Sequence, residues 1–229
     1  MNLKSTILFA FICFTFGIAN AQDVTDWDRE VLTGPNLVKN WSFGAGVNIV
    51  DDYATGYGFY IGDNWNFSSP FALSAEYHLS NAFGFSALFT TNEYKEGKII
   101  DGRAIVEGYE ATYFAADIAA KFYLRNWFRT PVLDPYIFVG GGYTTIGEYR
   151  ASSVDNDFNP ESDELDEDGN LMVEEIGRFT VNTGFGMNVW ISNHWGLMGA
   201  ITGKWSVEDE KYISNQIQYT MGVLYLLKE

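Results

Sequence analysis

"GRFTVNTGFGMNVWI" (residues 177–191) puts Phe179, Val181, Phe185, Met187, Val189 and Ile191 on one set of alternate positions, with Thr183 among them. The positions between hold Arg178, Thr180, Asn182, Gly184, Gly186 and Asn188. A period of two is the mark of a strand with two unlike faces. In a soluble strand the apolar face turns to the core and the polar face to water. The fold turns on whether that rule holds here or the chain is built inside out.

The same alternation occurs at roughly 40–50, 69–79, 81–91, 111–124, 135–148, 177–190, 194–205 and 214–227, and no helix of convincing length is predicted. The first strand's apolar set is Trp41, Phe43, Ala45, Val47 and Ile49. That of the eighth is Ile217, Tyr219, Met221, Val223, Tyr225 and Leu227. No apolar set contains a charge. The strand charges Glu76, Asp117, Lys121, Glu148, Arg178 and Lys204 all fall on the opposite faces, among Asn, Gln, Gly, Ala and Ser. A soluble barrel would have to expose these small, weakly charged faces, which solvate poorly. Reversed, the large apolar sets meet lipid and the small and polar ones fill a narrow lumen. Closure pairs every backbone group, as hydrocarbon requires. The expected fold is all-β: an eight-stranded antiparallel up-and-down transmembrane β-barrel.

Two further patterns agree. Long connections at 51–68, 92–110 and 149–176 and a moderate one at 206–213 alternate with tight turns at Ser80 and Ser192-Asn193 and a medium turn at 125–134, and each exceeds the short turns beside it. Outer-membrane barrels show this asymmetry, with short periplasmic turns and longer external loops. The outward aromatics gather at strand ends: Trp41, Tyr77, Trp195 and Tyr225 toward the periplasmic rim, and Trp205 toward the outer one. Amphipathic rings collect at membrane interfaces.

The bulk numbers set the compartment. Lys4, the apolar run Ile7–Ile18 and Ala19-Asn20-Ala21 predict a cleaved signal peptide over 1–21. The run is shorter than the ~20 residues of a membrane-spanning helix. Residues 22–39 are then a periplasmic N-terminal stretch and 40–229 the barrel. Cys13, the single cysteine, leaves with the signal, so the mature chain has no disulfide or thiolate chemistry. The formal charge of −16 argues against nucleic acid as a partner, since its backbone is neutralised by Lys and Arg. Outer-membrane lipids are the expected partner, and a monomer is the expected state.

The segment "AKFYLRNWFRTPVLDPYIFVGGGYT" (120–144) resembles the strand–turn–strand of small outer-membrane barrels related to the OmpA transmembrane domain. The resemblance extends loosely over 40–229. It implies eight strands and interior salt bridges of the kind credited with gating, and it speaks to the superfamily more than to the role, which is expected to be that of a non-enzymatic envelope component. No peptidoglycan-binding domain follows the eighth strand, so wall tethering by that route is not expected. The last strand also lacks the terminal Phe common in such barrels.

The lumen charges form two expected groups: Glu76 and Lys121, with Asp117 nearby, at one end, and Glu148, Arg178 and Lys204 at the other. Buried charges must be paired. The expectation is structural pairing, and the sharper alternative is a gate to a narrow pore for small solutes. Residues 155–175 hold ten acidic residues and no basic one. A solvated external loop is the plain reading. A calcium loop using Asp166, Asp168, Asn170 and Glu175 is the sharper one, although an acidic start and no flanking helices depart from the EF-hand pattern. His78 is expected to point inward near Glu76, and His194 sits at the same end. Neither lies near the outer leaflet, where an outer-membrane lipid-modifying enzyme would need it, so no enzyme, cofactor or resident metal is expected. A soluble lipocalin-like barrel remains the other architecture.

Overall fold

The computed structural model describes residues 35–51, 68–100, 103–105, 108–125, 132–147, 149–150, 172–173, 176–207 and 215–227. Its body is one closed sheet of eight strands. They are β1 (Trp41–Asp51), β2 (Ser68–His78), β3 (Phe83–Tyr94), β4 (Ala111–Tyr123), β5 (Leu133–Ile146), β6 (Ile176–Trp190), β7 (Trp195–Ser206) and β8 (Gln216–Leu227). Each pairs antiparallel with its chain neighbour, and β8 returns to pair with β1 from Trp41↔Leu227 to Asp51↔Ile217. This is the expected up-and-down barrel. Two small hairpins, Ile99–Ile100 with Arg103–Ala104 and Tyr149–Arg150 with Met172–Val173, lie in long connections.

Two of the short turns use one device. Ser80 accepts hydrogen bonds from the backbone N–H groups of Ala82 and Phe83 at 3.2 and 3.0 Å. Ser192 accepts them from His194 and Trp195 at 3.3 and 3.0 Å. A serine hydroxyl that caps its own turn replaces the backbone partners lost at the strand ends. At the other rim β2 enters through a bulge between Ser68 and Phe71, where Ser69 has φ of 45° and Pro70 has no N–H to give. Pairing between β1 and β2 runs from Trp41↔Tyr77 to Gly46↔Ala72.

The alternation resolves inside out. In β6 the apolar positions are exposed, Phe179 at 62% and Phe185 at 58%, while Arg178 and Asn182 are 2% exposed. Phe43, Leu73, Phe89, Ile137, Val139 and Met221 are likewise exposed on other strands. Ile49 and Val189 were expected outward but are buried, each close to the end of its strand. An 11-residue strand tilted by ~40° rises about 28 Å. That matches an apolar band roughly 25 Å tall.

The lumen is not only small and polar, contrary to expectation. At the short-turn rim Leu37, Trp190, Leu224 and Leu226 form a buried apolar cluster. At the other rim Val50, Tyr94, Ile105, Ala111, Tyr113, Ala115 and Ile146 form a second. Leu37 and Ile105 come from outside the barrel strands, so chain before β1 and chain between β3 and β4 each insert a side chain into an end of the barrel.

Candidate functional site

The lumen between these clusters is the candidate site. Near the short-turn rim, Lys121 on β4 donates to Glu76 on β2 at 2.7 Å. The same ammonium lies 4.4 Å from the centre of the Tyr136 ring. The other Glu76 oxygen, Oε1, is 3.4 Å from His78 Nδ1, and His78 Nε2 is 3.0 Å from Ser42 Oγ. The chain of contacts Ser42–His78–Glu76–Lys121 spans β1, β2 and β4. Ser42, Glu76 and His78 are 2% exposed or less. The connectivity resembles a nucleophilic triad, but it is buried inside the wall, and Lys121 already neutralises the carboxylate.

One layer further in, Lys204 on β7 donates to Asp117 on β4 at 2.9 Å. Asn182 on β6 donates to the second oxygen of Asp117 at 2.7 Å. This corrects the expected grouping: Asp117 pairs with Lys204, not with the Glu76–Lys121 set. Arg178 lies 3.4 Å from Ser206 Oγ, so it and Lys204 stay toward the long-connection rim as expected. Glu148 lies outside the described residues. So do the signal segment 1–21 and the calcium candidates Asp166, Asp168, Asn170 and Glu175.

Glycine placement explains how so narrow a lumen holds these groups. A Cβ on Gly142, which faces Asp117 in register, would overlap that carboxylate. Gly184 and Gly186 leave room in the same way for the Phe138 and Tyr136 rings beside them. The small positions of the β6 stretch are therefore complements of large inward side chains on β5.

Above the Asp117 layer the β3–β4 connection closes the lumen. Lys98 is 4% exposed, donates to the Val50 carbonyl at 2.9 Å and sits 4.9 Å from the Tyr94 ring centre. Tyr94 stacks on Tyr113 at 5.6 Å. The sequence reading missed Lys98, Ser42, Tyr136 and the buried Asp134. Only Ser42, Asp134 and Tyr136 carried a signal, since all three sit at inward positions of their strands.

Outside, the expected interfacial rings lie on the barrel surface. Trp41 meets Tyr77 at 5.1 Å and Trp195 meets Tyr225 at 4.9 Å at the short-turn rim. At the opposite rim Trp205 donates to Thr183 Oγ1 at 3.1 Å and Tyr143 packs on Phe179 at 5.1 Å.

No protein-family model matches the sequence, and none of the curated proteins does. Among solved structures, the outer-membrane protein OprG of Pseudomonas aeruginosa is 12% identical. That match covers 86% of this chain and 100% of OprG, with a TM-score of 0.53. The N-terminal barrel domain of Pseudomonas aeruginosa OprF matches at 11% identity over 83% of this chain and 98% of its own, with a TM-score of 0.47. The E. coli outer membrane protein W matches at 19% identity over 83% and 98%, with a TM-score of 0.44. At such identities the likeness concerns the fold, and that of OprG carries it. The chain has the closed eight-stranded antiparallel fold of the small outer-membrane β-barrels.

Proposed function

We propose that the chain is a non-enzymatic outer-membrane β-barrel, a structural component of the envelope that holds its long acidic connections at the external face. The observation that carries this reading is the pairing of an apolar exterior with a lumen stoppered at both ends. The two buried clusters, the paired charges between them and the rings of Tyr136 and Phe138 leave the axis filled with side chains, as expected for eight strands. The short-turn rim then faces the periplasm, a signal peptide delivers the chain, and the barrel acts as a monomer among lipids. The test is conductance of refolded protein in planar bilayers. The expected trace is flat, and steady ohmic steps from the wild-type protein would contradict the reading.

A second reading is a narrow gated pore. It is favoured by the polar layer of the lumen, where Asn48 Oδ1 and Nδ2, Thr90 Oγ1, Thr144 Oγ1 and Asn188 Nδ2 are buried without a protein hydrogen-bond partner. Such atoms cost about 1–3 kcal/mol each when dry, so they favour a hydrated path. On this reading the Glu76–Lys121 pair is the gate. Lys121→Ala should raise the frequency of conducting events, and recordings identical to the parent would end the idea.

A further inference from the structure

Among the described residues, the outer surface carries a feature that a uniform lipid-facing belt does not need. Beside the Trp41–Tyr77 pair lies a groove of about 510 Å³ on the outside of β1 to β5. Its floor is Ala75, Ala87, Ala120 and Gly141, and its walls are Trp41, Tyr77, Phe85 and Ile118. The lining spans adjacent strands in register, with Ala75 opposite Ala87, Ala87 opposite Ile118, and Ile118 opposite Gly141. A Cβ on Gly141 would come within 3.3 Å of the Thr180 carbonyl, a close contact with backbone that keeps this part of the floor low. The walls stand high beside this floor: Phe85 is 59% exposed and Ile118 70%.

Trp41 and Tyr77 place one end of the groove at the short-turn rim, where Lys39 is an exposed cation among the described residues. Lys39 is exposed two residues before Trp41, and its backbone N–H donates to the His78 carbonyl, next to Tyr77. The carboxylates described nearest this rim, Glu76 and Asp134, are buried in the lumen and do not oppose it. An apolar channel in the hydrocarbon zone under an exposed cation and an interfacial Trp–Tyr pair is complementary to one molecule type: a phospholipid with a free anionic phosphate.

We propose that this groove binds one acyl chain of an anionic phospholipid from the leaflet at the short-turn rim, with the headgroup phosphate at Lys39. This rests on the membrane reading above. The acyl chain is held between the aromatic walls and the headgroup by charge.

The test is native mass spectrometry of the full mature chain refolded in detergent with dioleoyl phosphatidylglycerol, compared with dioleoyl phosphatidylcholine. Wild-type protein should keep one phosphatidylglycerol through detergent removal, with at least several-fold less retention of phosphatidylcholine. Ala87→Leu/Ala120→Leu, which fills the floor, should lower retention about tenfold. Lys39→Glu should remove the preference between the two lipids. Equal retention by the filled variant, or no adduct on the wild type, overturns the proposal. So does a dimer signal that the filled variant abolishes, because the occupant would then be a second copy. Gel mobility of boiled and unboiled samples is read on every variant, so failure of lipid retention is separable from failure of the barrel itself.

Discussion

Lys204 holds its charge inside the barrel because the Asp117 carboxylate, which also accepts a hydrogen bond from Asn182, lies 2.9 Å away. Lys204→Ala would strand a buried carboxylate and should cost about 3–5 kcal/mol in reversible urea unfolding in lipid vesicles. Replacing both charges, as in Asp117→Asn/Lys204→Met, should recover most of that loss, because the pair is favourable only against its own desolvation. A double variant as unstable as the single one would mean that the pair does more than neutralise itself. The inward direction of both residues was legible in the sequence, since parity along a strand fixes the face. Their pairing was not. Asp117 and Lys204 sit three strands apart around the barrel, and which residues share a height depends on the stagger between strands. Within its own strand Asp117 is four residues from Lys121, and that proximity suggested the wrong partner.

Within the closing seam between β1 and β8, Gly46 stands opposite Gly222. A Cβ on Gly46 would lie 2.6 Å from the Gly222 Cα and would strike the Met221 carbonyl, so the two backbones approach as only glycines allow. Gly46→Val should therefore block or greatly slow closure, seen as loss of the heat-dependent mobility shift on refolding. Gly199→Val on β7 is the control, because its Cβ would meet nothing within 4 Å and folding should be normal. Equal behaviour of the two variants would show that close approach at the closing seam is not required. Strand positions were largely legible from the period of two. The starts and ends of β3 were each displaced by a few residues, since turn chemistry at Ser80 rather than hydrophobicity sets its start. The apolar stoppers were not legible. Trp190, Leu224 and Leu226 stand at inward positions, but an alternation reading seeks small and polar residues there. It has no means of knowing that the last layer of a lumen is sealed by Leu37 from outside the strands.

At the scale of the whole molecule one choice separates the accounts: which face of the sheet meets which solvent. Val139 lies mid-strand on β5 and is 57% exposed. If the belt faces hydrocarbon, Val139→Arg should cost about 2–4 kcal/mol in vesicle-based unfolding. In a water-soluble barrel an exposed Val to Arg change would be close to neutral. Much of this choice was legible in the sequence, because large charge-free faces recur from strand to strand while Glu76, Asp117, Lys121, Arg178 and Lys204 all fall on the opposite faces, which parity alone shows. The most direct measurement is cell fractionation followed by gel mobility of boiled and unboiled samples. Recovery in the outer membrane, with the unboiled band running at a different apparent mass, is the predicted result. Recovery in the soluble periplasmic fraction with no mobility shift would contradict it and turn the apolar face back into a core.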